Sequence, residues 1–210
     1  MKKQALLWTA LGVLLISIIG HLLVSVKTAN STATLTIEIL STPPQTHQLN
    51  IELYDTQAPL TVKNFIDYAE SGFYNDTIFH RIMEGFMMQG GGFSQTLELR
   101  IPKKAIKNEA NNGLTNTKGT LAMARTGYPH SATSQFFINF ADNTHLNHRN
   151  ETNAGYGYTV FAKIISNPET EAFLETIEKA EVQRMGQHQH VPVIPIIIRN
   201  VTIQKGKITL

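Results

Sequence analysis

The chain has 210 residues, 42% hydrophobic and 16% charged, an ordinary globular composition with length enough for one well-packed domain. A formal net charge of +2 and the lack of any long Lys/Arg run exclude a nucleic-acid footprint, and the absence of cysteine excludes a disulfide framework, a thiolate zinc site and a cysteine nucleophile.

At the N-terminus, Met1-Lys2-Lys3 precedes an uncharged apolar stretch, Ala5 to Val26. A membrane span needs about 20 apolar residues, against about 7–15 for the core of a cleavable signal peptide. The length therefore favours an uncleaved anchor, with Lys2 and Lys3 on the cytoplasmic side and the remainder outside the inner membrane. The alternative is a soluble periplasmic protein released by signal cleavage. Residues 1–33 are assigned to this segment plus a short polar linker, and residues 34–210 to the folded domain.

Leu35, Ile37 and Ile39 alternate with polar neighbours, as do Leu49, Ile51 and Leu53, and Pro43-Pro44 interrupts the alternation between them. Two strands around a turn are expected. Ala58 to Gly72 changes to a helical period, with Val62, Phe65, Ile66 and Ala69 on one face, Pro59 in the first turn and Gly72 at the C-terminal cap. A second helix is expected over Asn167 to Ala180, where Asn167 caps, Pro168 takes the first helical position and Phe173, Leu174 and Ile177 form the stripe. Short strands are expected over 77–83, 86–89, 120–124, 135–140, 158–165 and 194–204. About eight strands with two helices point to a β-barrel or sandwich with helices packed on it. The polar stretch between Phe93 and Gly119 is long for a compact domain, and ordered loops of that length are usually functional.

G-x-S-x-G, H-E-x-x-H and the phosphate-binding G-x-x-x-x-G-K-[ST] are all missing, and Gly90-Gly91-Gly92 has no following Lys and Ser/Thr. His188-Gln189-His190 reads as a solvated polar loop with no third metal ligand nearby. Four apolar segments carry isolated polar groups: FHRIMEGFMMQGGG, GTLAMARTG, SATSQFFINF and HLNHRNETNAGYGYTVFAKI. By periodicity alone they are core strands and strand ends.

Together these segments, with TVKNFIDYAESGFYNDTIFHR and IKNEANNGL, resemble the cyclophilin-type peptidyl-prolyl cis-trans isomerases over essentially the whole domain from Thr34 onward, most closely the bacterial type. The resemblance implies a mainly β fold, a closed eight-stranded antiparallel barrel capped by two α-helices. It implies catalysis of X–Pro isomerisation in protein folding without covalent intermediate, cofactor or metal. Proline-containing polypeptides are the implied partners, the molecule a monomer, with no nucleic acid; from the length of the apolar segment, the membrane is engaged through residues 5–26 if that segment is uncleaved.

By the same resemblance Arg81 matches the catalytic arginine, and Phe86, Met87, Phe137 and Leu146 the proline pocket. Gln89 matches the glutamine that bonds the substrate backbone and orients the arginine. Ala124, Arg125 and Thr126 match the edge that pairs with the peptide, and Gln135 another groove residue. His80, on the other face of its strand, is expected to be structural. Tyr158 stands where eukaryotic members carry a groove histidine, and His145 where they commonly carry a tryptophan that contacts cyclosporin, so weak cyclosporin binding is expected.

Overall fold

The structure is a computed structural model that describes residues 27–206 and 208–209, so the apolar segment expected over Ala5 to Val26 lies outside the described residues. Two compact units are distinguished. The larger is Asn30–Gly206; the other contains β1 (Lys27–Thr28) and β12 (Ile208–Thr209), which pair antiparallel with each other. No helix among the described residues is long and apolar enough to cross a membrane.

In chain order the larger unit contains β2 (Thr32–Ile39), β3 (Gln45–Leu53), helix α1 (Pro59–Glu70), β4 (Thr77–Met83), β5 (Met87–Gly90), β6 (Thr120–Met123), β7 (Phe136–Asn139), β8 (Val160–Ile164), helix α2 (Pro168–Glu178), β9 (Val182–Met185), β10 (His188–Pro192) and β11 (Ile196–Gln204). Eight strands close into an antiparallel barrel in the order β11-β2-β3-β8-β6-β7-β5-β4, with β4 pairing back to β11. The expected barrel with two helices is what the chain forms. Its first strand starts at Thr32, two residues before the expected boundary, because Ala33 already faces the core at 1% exposure.

The barrel interior follows from the period of two. Leu35 and Ile37 of β2, Leu49, Ile51 and Leu53 of β3, Leu121 and Met123 of β6 and Phe136 and Ile138 of β7 all point inward and are fully buried. Helix α1 packs on β11 and β8 and inserts Phe65 into this core, 5.3 Å from the Phe161 ring and 5.6 Å edge-on to Phe136. Burying a phenylalanine of this kind contributes about 1.5–3 kcal/mol. The helix ends at Ser71, followed by Gly72 with φ +69. Helix α2 packs on β3 and begins as expected: the Asn167 side chain accepts a 2.9 Å bond from the Thr170 N–H, and Pro168 follows it.

One expectation needs correction. Residues around His188 and His190 do not form a loop; β9 and β10 make an antiparallel hairpin that lies against β4. The exposed side chains of β9 concealed it, because a strand with no buried face has no alternation to read. The long segment after Phe93 is ordered by isolated bridges, Phe93 with Leu99 and Ile106 with Ala132, and it braces other elements. Glu109 accepts bonds from the Leu60 and Thr61 N–H groups at the start of α1, and Asn108 donates to the Pro129 and Gly157 carbonyls.

Candidate active site

Strands β5, β6 and β7 are apolar on both faces. The inward residues build the barrel core, whereas Met87, Ala122, Phe137 and Val160 form a second apolar cluster on the outside, covered by Phe86, Leu114, Ala124, Leu146 and Tyr158. The register lines up one row across five strands: Arg81 opposite Gln89, Gln89 opposite Phe137, Phe137 opposite Ala122, and Ala122 opposite Val160.

Arg81 joins that outer row because of a bulge. Phe79 points into the core, so an unbroken period of two would send Arg81 inward as well. Between Phe79 and Arg81 the β4–β5 register shifts, His80 is the extra residue, and the inward position falls on Ile82. A bulge re-aims the side chains after it. His80 itself packs against Phe93, ring centroids 4.6 Å apart, and edge-on to His188 of β10. Its Nδ1 is buried without a hydrogen-bond partner, and burial first, then the charges of His188 and Arg81, push its pKa down to about 4.

The outer cluster borders a cavity of about 140 Å³ lined by Arg81, Phe86, Met87, Gln89, Ala124, Arg125, Phe137, Leu146 and Tyr158. The structure thus brings together nine of the residues singled out in the sequence, from five separate stretches of chain. Gln135 stands beside them, its Oε1 accepting from the Gln89 amide at 2.8 Å. Thr126 does not line the cavity; its hydroxyl and N–H both engage the Ser131 hydroxyl. A larger cleft of about 530 Å³ lies beside α2, rimmed by Lys118, Lys163, Glu171 and Glu178 among others, and holds none of these residues.

Within the small cavity the Arg81 guanidinium is half-buried. Its one side-chain contact at hydrogen-bond range among the described residues is a 2.8 Å approach of Nη2 to the Met83 sulfur, a weak acceptor. No hydrogen bond joins it to Gln89 there. Burial lowers the Arg81 pKa and Tyr158 opposes that shift, but a guanidinium stays cationic throughout the working pH range. The opposite wall is also rigid: Arg125 lies 4.6 Å over the Tyr158 ring, which meets Phe137 edge-on at 5.7 Å. His145, in a 3-10 turn at Thr144–Leu146, stacks on Phe86 at 5.7 Å.

The sequence did not reveal what holds these walls in place. Asn143 donates to the Phe86 carbonyl at 2.9 Å and to Asn139 at 2.8 Å, and its N–H donates to the Asn116 carbonyl at 2.7 Å. Asn147 accepts from the Asn116 N–H at 2.7 Å. These asparagines fix Phe86 and Leu146 through a buried network. Their one sequence signal is a density of Asn in loops, which turns also produce.

Among the described residues, such a site has an apolar floor and two guanidiniums, Arg81 and Arg125, that take part in no ion pair. It offers a ring-sized apolar surface beside a hydrogen-bond donor.

Comparison with known proteins places the chain in a family. The family model described as cyclophilin type peptidyl-prolyl cis-trans isomerase matches residues 36–203. The chain is 52% identical over 155 residues to peptidyl-prolyl cis-trans isomerase B of Escherichia coli, covering 74% of this chain and 93% of that protein. To isomerase A of Dickeya dadantii it is 48% identical over 158 residues, 74% of this chain and 80% of the relative. Among solved structures, a Cryptosporidium parvum cyclophilin type peptidyl-prolyl cis-trans isomerase crystallised in the presence of the dipeptide Ala-Pro superposes with a TM-score of 0.60 at 29% identity, covering 81% of this chain and 99% of that one. The barrel, the matched residues 36–203 and relatives near half identity establish that this chain belongs to the cyclophilin-type peptidyl-prolyl cis-trans isomerases.

Proposed function

We propose that this isomerase works outside the inner membrane, tethered through residues 5–26, and accelerates X–Pro isomerisation in polypeptides as they fold there. The X–Pro amide turns slowly because resonance resists twisting, with a barrier of about 18–20 kcal/mol. A catalyst must bind the twisted amide better than the planar one. On twisting, the proline nitrogen regains a lone pair and becomes an acceptor. In our mechanism Arg81 donates to that nitrogen, Phe86, Met87, Phe137 and Leu146 hold the ring, and Gln89, Ala124, Arg125 and Gln135 engage the flanking chain.

The observation that carries this assignment is the half-buried Arg81 guanidinium with no carboxylate partner among the described residues, lining the same small cavity as the apolar ring site. A buried charge left unpaired in the free protein is the group whose best partner arrives with the substrate. The location rests on the uncharged length of Ala5 to Val26 after two lysines.

Cis–trans exchange of an Ala-Pro peptide, measured with the parent and with Arg81→Ala, tests the chemistry. The parent should accelerate exchange, and the variant should lose about 10²- to 10³-fold in kcat/KM, the usual cost of removing one preorganised donor. An unimpaired variant overturns the role given to Arg81. Membrane fractionation with an antibody to the C-terminus tests the tether: a shortened soluble species shows cleavage instead. Weak cyclosporin affinity is expected from His145, and a titration against this protein checks it.

A further inference from the structure

We propose that the groove selects proline peptides that carry a carboxylate within two residues of the proline, and that Arg125 is the group that reads it. This rests on the isomerase assignment of the same cavity. Of the nine residues lining that cavity two are guanidiniums and none is acidic. The ion pairs found among the described residues use Lys63, Lys163, Arg199 and Lys205, so neither Arg81 nor Arg125 has its charge compensated.

Arg125 is held in a way that leaves it able to bind. Its Nε donates to the Gly157 carbonyl at 2.9 Å, Nη1 to Thr126 at 2.9 Å and Nη2 to Asn153 at 3.1 Å. A guanidinium has five N–H donors, so two remain, and backbone carbonyls fix its position without cancelling its charge. Stacking on Tyr158 immobilises the plane. A fork already ordered loses little entropy on gripping a carboxylate. Two like charges at a partly buried, apolar-walled site also focus potential toward an incoming anion and against a cation.

The two arginines need not compete for one group. Arg81 is on β4 and Arg125 follows β6, with β5 and β7 between them, three inter-strand steps or about 14 Å of backbone separation. With the proline ring near Arg81, two positions of extended peptide cover about 7 Å at about 3.3 Å per residue, and the side chains of the carboxylate residue and of Arg125, whose guanidinium lines the same cavity as Arg81, span the remainder.

The test uses the full chain in a neutral detergent and a peptide series built on an all-alanine host with one central proline. Single Ala→Glu and Ala→Lys changes are placed at each of the two positions on either side. At one position the Glu peptide should exceed the Lys peptide in kcat/KM by on the order of five- to tenfold at low ionic strength, mostly through KM, and the ratio should shrink in high salt. Arg125→Gln should bring the ratio to near one, whatever it does to the all-alanine peptide, and Arg125→Lys, which keeps the charge but not the ordered fork, should retain part of it. A parent ratio near one at every position overturns the proposal, as does a ratio that survives Arg125→Gln. In either case turnover of the all-alanine peptide leaves the isomerase assignment standing, and failure to turn over that peptide sinks both.

Discussion

Helix α1 starts without a cap of its own. Ala58 occupies the N-cap position and makes no side-chain cap bond, and no acidic residue lies in the first turn. One carboxylate from the long loop replaces the cap: Glu109 accepts from the Leu60 N–H at 3.1 Å, the Thr61 N–H at 2.8 Å and the Thr61 hydroxyl at 2.7 Å. Glu109→Ala should therefore act on the helix. Losing a cap costs about 1 kcal/mol, and losing an anion at the helix N-terminus about 0.3–1 kcal/mol more. Leu60 is exposed and can turn to water, but Thr61 is fully buried, so its stranded N–H adds about 1 kcal/mol. A total of about 2–3 kcal/mol is expected, or a fall of about 5–10 °C in Tm for a domain of this size. Glu109→Gln keeps one acceptor oxygen and should lose about half as much. Urea unfolding followed by far-UV circular dichroism measures both, with Glu98→Ala as control, since the exposed Glu98 side chain has no partner among the described residues. A Glu109→Ala loss no larger than the control's would refute the idea that the loop supplies the cap.

Gly91→Ala should destabilise by about 2–4 kcal/mol in the same assay, because φ is +78 and an added Cβ would come 2.9 Å from the buried Phe136 and Tyr74 rings. At Gly92 a Cβ would collide with the Gln135 side chain, which is bonded to Gln89, so Gly92→Ala should raise KM for an Ala-Pro peptide severalfold with kcat little changed. His80 has a folded pKa near 4 against 6.5 for the free side chain. The unfolded chain thus takes up the proton first: stability is fully present above pH 6.5 and falls as the pH drops toward 4, by up to about 3 kcal/mol. His80→Phe should flatten the stability–pH curve over that window, and an unchanged curve would assign the acid sensitivity elsewhere.

Much of this was legible in the chain because local rules decide it. Asn167, Pro168 and the Phe173–Ile177 stripe specify α2 from within a few residues, and the alternation in β2 and β3 gives their inward faces directly. Resemblance to a known family singled out residues that the fold brings together around one small cavity. The caps and braces were not legible. Glu109 lies 48 residues from Thr61, and Asn143 lies 57 from Phe86, so no window of sequence contains both partners.

Arg81 shows the division most clearly. The sequence places a lone guanidinium in an apolar run that ends in three glycines, and by itself determines that this charge is present and that no nearby carboxylate in the run other than Glu84 is available to it. Which way it points is decided by the tertiary structure. Counting by twos from Phe79 would bury it in the barrel; the bulge at His80 turns it outward, in register with Gln89 and Phe137. The glycines follow the same division: the close approach at Gly90 to Phe79 comes from the local β4–β5 pairing, but that at Gly91 to Phe136 and at Gly92 to Gln135 appears only once distant strands have met. Periodicity and capping are short-range and can be read along the chain; register and contact depend on which strand lies opposite, and closure of the barrel alone decides that.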